Sequence, residues 1–451
     1  MNLILILVLL GLLVLGLPVA VVLILFSIFP NIINPLFPAD PVYIIRALVN
    51  GVNSFPILAV PMFMLSGTIM AKGKLSAKIF DFFSYFVSGF TGGIPIAVIT
   101  TCLFYGAISG SGPATTSAVG AMTVPLLIKL GYDEDFSLAL VAVAGGLGVV
   151  IPPSIPFIFF GQAAGVSVAD LFIAGIIPGL LIGFSMMIYV FTYLKKNGED
   201  SEKIKIYRSE LKQRGFWNIF KESFLAILCP VIILGSIYSG IASPTEAAVI
   251  SVYYSLIVSV FVYKSIKVKD LKEILIETIN SYASILIIIA AAAAFARVLV
   301  FLNIPSLISS ILATNISSKF VLLIVINLIL LVVGMVMDTT PAILVLTPII
   351  IPLAMKFGIE PIHLGIITVV NLAIGFVTPP LGVNLFVASS LSDIPVDRII
   401  RKSLPFIGIF IICLLLITFI PSISLILIWG YYEQKIYNTT YNKPNILCLS
   451  I

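Results

Sequence analysis

The chain has 451 residues, of which 60% are hydrophobic and 10% charged, whereas soluble domains carry roughly 25% charged residues. That balance excludes an ordinary soluble domain. The formal net charge of +5, the single histidine and four scattered cysteines leave no basis for a nucleic-acid partner, a His-rich metal centre or a disulfide framework.

Apolar runs of about 20 residues mark membrane-spanning helices. The first, about 2–29, is too long for a signal peptide and no small-residue cleavage site follows it, so it is expected to stay as a span. Further spans are expected at about 54–71, 136–165 (broken at Pro152-Pro153), 169–194, 223–240, 244–263, 279–301, 361–392 (broken at Pro379-Pro380) and 396–428. Two apolar pairs, 92–128 and 320–357, each hold a polar break and read as re-entrant helical hairpins. Segments 75–90 and 302–318 are short and amphipathic, which predicts helices lying along the interface. The charge run 195–222 reads as a solvated loop, and 429–451 as an atypical polar tail.

The chain repeats itself at an offset of about 227 residues. "LGVVIPPSIPFIFF" (Leu147 to Phe160) aligns with "IGFVTPPLGVNLFV" (Ile374 to Val387), and Pro125, Lys129, Gly131, Asp170 and Pro178 match Pro352, Lys356, Gly358, Asp397 and Pro405. The repeats are expected over 1–180 and 228–428, with the charged loop and the start of an extra span between them, at 181–227. Duplicated halves of this kind are a common construction of secondary transporters.

Under this scheme one side receives Lys72, Lys74, Lys78, Lys129, the basic residues of 195–222 and 264–273, and Arg398, Arg401 and Lys402, which is most of the 25 Lys and Arg residues. The positive-inside rule makes that side the cytoplasm and puts the N-terminus there. An odd number of crossings separates the halves. They are therefore inverted, the first hairpin entering from the cytoplasm and the second from outside. The fold class expected is an all-α polytopic membrane protein with inverted repeats, two re-entrant hairpins and two broken helices.

Non-helical backbone is tolerated at membrane depth only where protein buries it or water reaches it. In the first break, "SGSGPATTS" (Ser109 to Ser117), Ser109, Ser111, Thr115 and Thr116 supply hydroxyls, and Gly112 and Pro113 sit at a helix start. The second, "MDTTPA" (Met337 to Ala342), has the same order, with Asp338 and Thr339 at the tip, Thr340 a candidate cap and Pro341 a candidate first helical residue. Helix N-termini attract anions, carboxylates included. The other two breaks, "GVVIPPS" (Gly148, Val150, Pro152, Pro153) and "GFVTPPLGVN" (Gly375, Val377, Thr378, Pro379, Pro380, Asn384), free carbonyls upstream of adjacent prolines. Carbonyls and hydroxyls are hard oxygen ligands that suit a monovalent cation. A symmetric pair of cation sites with an anionic substrate between them follows. Intramembrane acids are few: Glu246 in "SPTE" fits a capping box with Ser243, and Asp338 has Ser111 as its counterpart. Sodium held by neutral oxygens is therefore expected rather than a proton relay. Arg297 reads as a snorkelling residue and His363 as structural. The sequons at Asn315 and Asn438 match a pattern common by chance.

"PMFMLSGTIM" (Pro61 to Met70), "GAISGSGPATTSAVG" (Gly106 to Gly120), "GGLGVVIPPSIPFI" (Gly145 to Ile158), "GIASPTEAAV" (Gly240 to Val249), "GMVMDTTPAILVLTPI" (Gly334 to Ile349) and "IGFVTPPLGVNLFV" together resemble the large membrane subunit of tripartite ATP-independent periplasmic (TRAP) transporters, the dicarboxylate-type permease. The resemblance covers about 1–430, and the tail departs from the family's usual ending. It implies a sodium-coupled importer of small organic acid anions in a bacterial or archaeal cytoplasmic (inner) membrane, working as an elevator. It also implies a soluble periplasmic binding protein that delivers substrate and a small four-helix membrane subunit, expected here as a separate chain. Carried over, the sodium sites would involve Ser109, Ser111, Gly112, Gly148, Val150 and Pro153 in one half, and Asp338, Thr339, Gly375, Val377, Thr378 and Pro380 in the other. A stand-alone ion-coupled anion carrier that needs no binding protein is the alternative. A membrane enzyme is not expected, since one histidine and no HExxH or Ser–His motif leave it without a catalytic set.

Overall fold

Every regular element among the described residues is a helix, as a bilayer demands of a chain that must satisfy its own backbone. The computed structural model describes residues 11–12, 16–307, 310, 316 and 318–430. The start of the first span, most of 308–317 with the Asn315 sequon, and the tail from 431 with the Asn438 sequon lie outside the described residues.

The first half contains α1 (Val19–Ile33), α2 (Pro41–Val52), α3 (Ala59–Lys72), α4 (Leu75–Val87), α5 (Gly93–Ser109), α6 (Gly112–Lys129), α7 (Glu134–Gly145), α8 (Ile155–Ala164) and α9 (Val168–Asn197). α10 (Ser201–Arg214), α11 (Phe216–Tyr238) and α12 (Pro244–Leu256, continued by a π-turn over Ile257–Val262) lead into the second half. There follow α13 (Leu271–Phe301), α14 (Lys319–Val336), α15 (Thr339–Lys356), α16 (Pro361–Gly375), α17 (Val383–Ser389) and α18 (Val396–Phe419). Among the described residues, eight helices, some joined with short flanking turns, are long and apolar enough to cross a membrane.

Local sequence explains the starts. Asp40 caps α2, accepting from Tyr43 N at 2.6 Å, and Pro41 is its first residue. Asp133 caps α7 and Glu360 caps α16 in the same way. Ser243 and Glu246 form the expected capping box at α12, with Ser243 N donating to Glu246 Oε2 at 2.7 Å and Glu246 N to Ser243 Oγ at 3.3 Å. His363 is structural as expected: its ring lies 3.2 Å from Ser424 Oγ and 3.3 Å from the Thr418 carbonyl.

Three expectations need correction. The charge run is not a loop: 201–214 form α10, whose Ile204 and Leu211 are buried while most of its other residues are exposed. Two apolar residues seven apart, about two turns, are too sparse a stripe to read against so many charges. α2 was not expected, because its 12 residues are too short to span; they instead pack against α13. The long span expected at 396–428 breaks after Phe419, and a second helical stretch follows over 422–430, beyond Pro421.

The two hairpins, α5–α6 and α14–α15, enter from opposite faces, and α18 measures the distance between their bases. At its start Arg398 pairs with Asp135 at 3.0 Å, beside the base of the first hairpin. At its end Phe419 stacks on Phe320, at the base of the second, with ring centroids 4.5 Å apart. Its 24 residues reach about 36 Å at 1.5 Å per residue. The arms of the second hairpin are apolar enough to be spans, but at 18 residues each they reach about 27 Å, short of the roughly 30 Å hydrocarbon core. Glu199, at the end of α9, clamps the first base: it accepts from Gly92 N at 3.1 Å and from the Tyr132 hydroxyl at 2.9 Å. Burial, and then this carboxylate, push the Tyr132 phenol well above its usual range.

Two packing groups emerge. α13 packs on α1, α2 and α3, and α12 on α3 and α11. The other group joins α5–α9 with α14–α18, through contacts such as α14 on α16, α15 on α8 and α18 on α7. α4, packed on both α5 and α11, connects them, as do α3 against α5 and α13 against α15. Close crossing depends on small residues, because lipid gives helices no hydrophobic reason to associate. A Cβ on Gly51 of α2 would lie 2.2 Å from Ala293 Cβ, in the run Ala290 to Ala294 of α13. Gly51→Val is therefore expected to lower the melting temperature of the purified protein, at an overpacking cost of about 1–3 kcal/mol. Gly235→Ala, where nothing lies within 4 Å of the added Cβ, is the control and should melt like the wild type.

Candidate functional site

The first hairpin turns at Gly110, whose φ of 60° is left-handed and whose N–H closes α5 onto the Gly106 carbonyl at 2.8 Å. Ser111 is the N-cap of α6 and Pro113 stands in its first turn, as the sequence predicts. The tip hydroxyls bond to one another: Ser109 Oγ lies 2.9 Å from Thr115 Oγ1, and Thr115 Oγ1 donates to the Ser111 carbonyl at 2.8 Å. Thr116 donates to the Gly112 carbonyl at 3.1 Å.

This tip rests on the first broken helix. After α7 the chain passes through a 3-10 turn (Gly146–Val149), unwinds at Val150 to Ser154 and restarts as α8. A Cβ on Gly148 would lie 2.4 Å from Thr115 Oγ1 and 2.8 Å from the Ser111 carbonyl oxygen. A Cβ on Gly106 would lie 2.6 Å from Gly148 Cα. Only hydrogen at both positions lets the tip oxygens meet the unwound segment. Ile155 N then donates to the Gly110 carbonyl at 3.3 Å.

The second half is built alike. A Cβ on Gly375 would lie 2.3 Å from the Gly334 carbonyl oxygen, so hairpin and broken helix touch there too. Leu381 N donates to the Met335 carbonyl at 3.0 Å, tying the unwound segment to the hairpin. Thr378 Oγ1 donates to the Ile374 carbonyl at 2.7 Å. One detail differs from expectation: the cap of α15 is Asp338, not Thr340, and the helix begins at Thr339, two residues before Pro341. The Asp338 carboxylate accepts from Thr339 N at 2.6 Å and from Thr339 Oγ1 at 3.4 Å. An acid outcompetes a threonine for this position because it also compensates the positive helix end. Asp338 and Ser111 thus hold the same N-cap position in the two repeats, but only the Asp338 side chain makes a capping bond.

Both tips line one cavity of about 370 Å³. Of the residues singled out in the sequence, Ser109, Ser111, Pro113, Asp338, Thr339 and Thr340 face it. Gly112, Thr115, Gly148, Val150, Pro152, Pro153, Gly375, Val377 and Asn384 are buried behind it. Thr378 and Pro379 are half-buried, and Pro380 is exposed although its counterpart Pro153 is buried. The two proline pairs are therefore not equivalent in setting. Asn384 joins the halves: its Nδ2 donates to the Ala142 carbonyl at 3.0 Å, its Oδ1 is buried with no partner, and its N donates to the Phe376 carbonyl at 3.0 Å. A Cβ on Gly112 would meet the Phe376 ring at 3.1 Å and Asn384 Nδ2 at 3.5 Å.

Sequence reading missed the other wall. Tyr105 donates to the Gly67 carbonyl at 3.2 Å, and Ser281 and Glu277 reach the cavity from α13. Lys72 also lines it, paired with Glu273 at 2.8 Å and Glu277 at 3.0 Å. Lys72 lies 201 and 205 residues before Glu273 and Glu277, and no local motif joins it to them. No cluster of His, Cys, Asp and Glu able to hold a transition metal occurs among the described residues.

An all-helical polytopic protein with paired hairpins and paired broken helices around one cavity has the build of a membrane transporter. The chain belongs to the family described as "Tripartite ATP-independent periplasmic transporter, DctM component", which matches residues 6–423. It is 39% identical over 375 residues to the C4-dicarboxylate TRAP transporter large permease protein DctM of Pseudomonas aeruginosa, covering 83% of this chain and 86% of that one. It is 38% identical over 416 residues to the isethionate TRAP transporter permease protein DctMQ of Oleidesulfovibrio alaskensis, covering 92% of this chain but only 64% of that longer one. In fold it is similar to Neisseria gonorrhoeae MtrF, with a TM-score of 0.63 at 15% identity, over 89% of this chain and 94% of that one.

The dual position of Asp338 separates two roles. Asp338→Asn keeps a capping oxygen and should leave the melting temperature nearly unchanged, whereas Asp338→Ala loses the cap, at a cost of about 1 kcal/mol. If Asn melts as low as Ala, the carboxylate charge rather than the cap holds the tip.

Proposed function

We propose that the chain is the permease subunit of a sodium-coupled importer of small organic acid anions. A periplasmic binding protein delivers the substrate and a small four-helix membrane subunit completes the complex. The observation that carries this reading is the convergence of both hairpin tips on one cavity. Each tip presents a helix N-terminus, a natural seat for a carboxylate, with neutral oxygens packed behind it. The named relatives transport a C4-dicarboxylate and isethionate, both organic acid anions. Their membership of tripartite systems favours this reading over a stand-alone carrier.

Sodium is the proposed coupling ion. One site would draw on Ser109, Ser111, Gly112, Gly148, Val150 and Pro153, and the other on Asp338, Thr339, Gly375, Val377, Thr378 and Pro380. The Ser111 carbonyl and Thr115 Oγ1 crowding Gly148 support the first, and the unpaired Asn384 oxygen near Gly112 and Phe376 adds a hard ligand between the halves. Hard neutral oxygens suit sodium. The two packing groups support an elevator, with α1–α3 and α11–α13 as the static part and the hairpins with the broken helices as the moving part. The face that carries α10, Lys72 and Arg398 would be cytoplasmic by its charge, which makes the cavity inward-facing, since it reaches Lys72 and Glu277.

Uptake into proteoliposomes holding both membrane subunits, with the binding protein and a panel of organic acids added, tests this directly. A sodium gradient should stimulate uptake; stimulation by a pH gradient alone would overturn the cation assignment. Ser111→Ala and Thr378→Ala should weaken the sodium dependence of uptake more than they lower the yield of folded protein. Equal losses of both would make these hydroxyls packing elements only.

A further inference from the structure

A second cavity, of about 560 Å³, lies away from the hairpin tips, between α2, α8, α13 and α15. Its polar wall is Arg46, Asn50, Gln162 and Arg297. It belongs to the face opposite the basic one: Arg297 is 24 residues beyond Glu273 on the same helix, or about 36 Å along it. α2 and α13 run antiparallel. The Gly51–Ala293 contact pins one end of their crossing, and Tyr43 against Phe301, with centroids 5.3 Å apart, pins the other. Arg46 and Arg297 therefore fall on facing turns between these two points.

Both arginines are exposed, and snorkelling accounts for each one singly, but not for two helices bringing them to the same cavity. Neither guanidinium has a hydrogen bond or ion pair among the described residues, and no carboxylate lines the cavity. Adjacent like charges disfavour each other unless an anion lies between them, and the planar guanidinium fork matches oxyanions in bidentate fashion. Gln162 Nε2 donates to the Gly51 carbonyl at 3.4 Å and its Oε1, an acceptor, has no partner, so the guanidinia and not this amide would hold an oxyanion. The remaining wall, Leu344 and Pro348, belongs to the second hairpin. Leu344 stands six residues from Asp338, about 9 Å along α15.

We propose that Arg46 and Arg297 form an oxyanion-binding vestibule on the outer face, which holds the carboxylate or sulfonate of the organic anion before it passes to the hairpin tips. This extends the permease reading above to a second site. Of the sources of an oxyanion at that depth, a soluble organic acid fits better than a phospholipid headgroup, because the two arginines come from different helices and line one cavity. The moving hairpin forms one wall, so the vestibule is reshaped as the tip travels.

The test uses the purified two-subunit membrane complex in phospholipid-free detergent. p-Hydroxyphenylglyoxal modifies accessible arginines, and peptide mass spectrometry reads the rate at each. Succinate, isethionate or sulfate, against chloride at equal ionic strength, should slow modification of Arg46 and Arg297 about fivefold once the anion is well above its dissociation constant. Arg401, exposed on the basic face, should not be protected. Protection should persist in Asp338→Asn, since the two sites are separate. Equal rates with every anion overturn the vestibule. Protection by phosphatidylglycerol but by none of the three anions overturns the soluble-acid assignment. In uptake, Arg46→Gln and Arg297→Gln should each raise KM about tenfold, the loss of one charged hydrogen bond, with the maximal rate less affected; a fall in maximal rate at constant KM counts against the proposal. Transport without protection sinks the vestibule alone. Protection in a complex that transports no organic acid sinks the permease reading and leaves the vestibule standing.

Discussion

The contact of a hairpin tip with an unwound helix is the constraint on which the rest depends. Unwinding a helix at membrane depth strands backbone donors and acceptors in a medium that cannot satisfy them. The chain solves this twice by apposing the breaks. Gly106 and Gly148 in one half, and Gly375 against Gly334 in the other, permit approaches that a Cβ on Gly106, Gly148 or Gly375 would block. The freed groups then find each other, as Ile155 N finds Gly110 and Leu381 N finds Met335. Once two hairpins enter from opposite faces and each must meet its broken helix, their tips come together near mid-depth, and a shared polar cavity follows.

That cavity joins two kinds of wall. One side is the group of hairpins and broken helices, where polar groups are small, neutral and bonded locally. The other is α3 and α13, whose contribution is the ion-paired set of Lys72, Glu273 and Glu277. A boundary between packing groups that also carries the cavity is where a sliding motion would change which face the cavity meets. The two groups differ in their internal contacts: tip and broken helix are interlocked by glycine, while α13 meets α2 through a run of alanines at Gly51.

Much of this was legible in the sequence, for physical reasons. Polar breaks inside apolar runs are costly in lipid, so "SGSGPATTS" and "MDTTPA" stood out without any fold in hand. The constant offset paired them, and charge asymmetry put them on opposite faces, as α18 with its two anchored ends bears out. Less legible was whatever depends on long-range pairing. α2 was hidden because its apolar face is needed only where α13 crosses it. The helical state of 201–214 was masked by charge that outweighed two buried positions. At the second tip the Thr-Pro pair suggested a cap that Asp338 takes instead, since a carboxylate at a helix N-terminus gains from the dipole as well as from the hydrogen bond.

The repeat is also imperfect in an informative way. Ser111 and Asp338 occupy the same capping position, yet only one is an acid. Pro153 is buried while Pro380 is exposed. The second half is thus more polar at its tip and more open at its break. Two identical halves would place equal sites on either side of a pseudo-twofold axis and distinguish neither face. Here the acid lies on the hairpin whose far arm also walls the cavity holding Arg46 and Arg297. An acid at the tip, with two arginines of the neighbouring α2 and α13 about two turns along, sets opposite charges beside that arm in this arrangement.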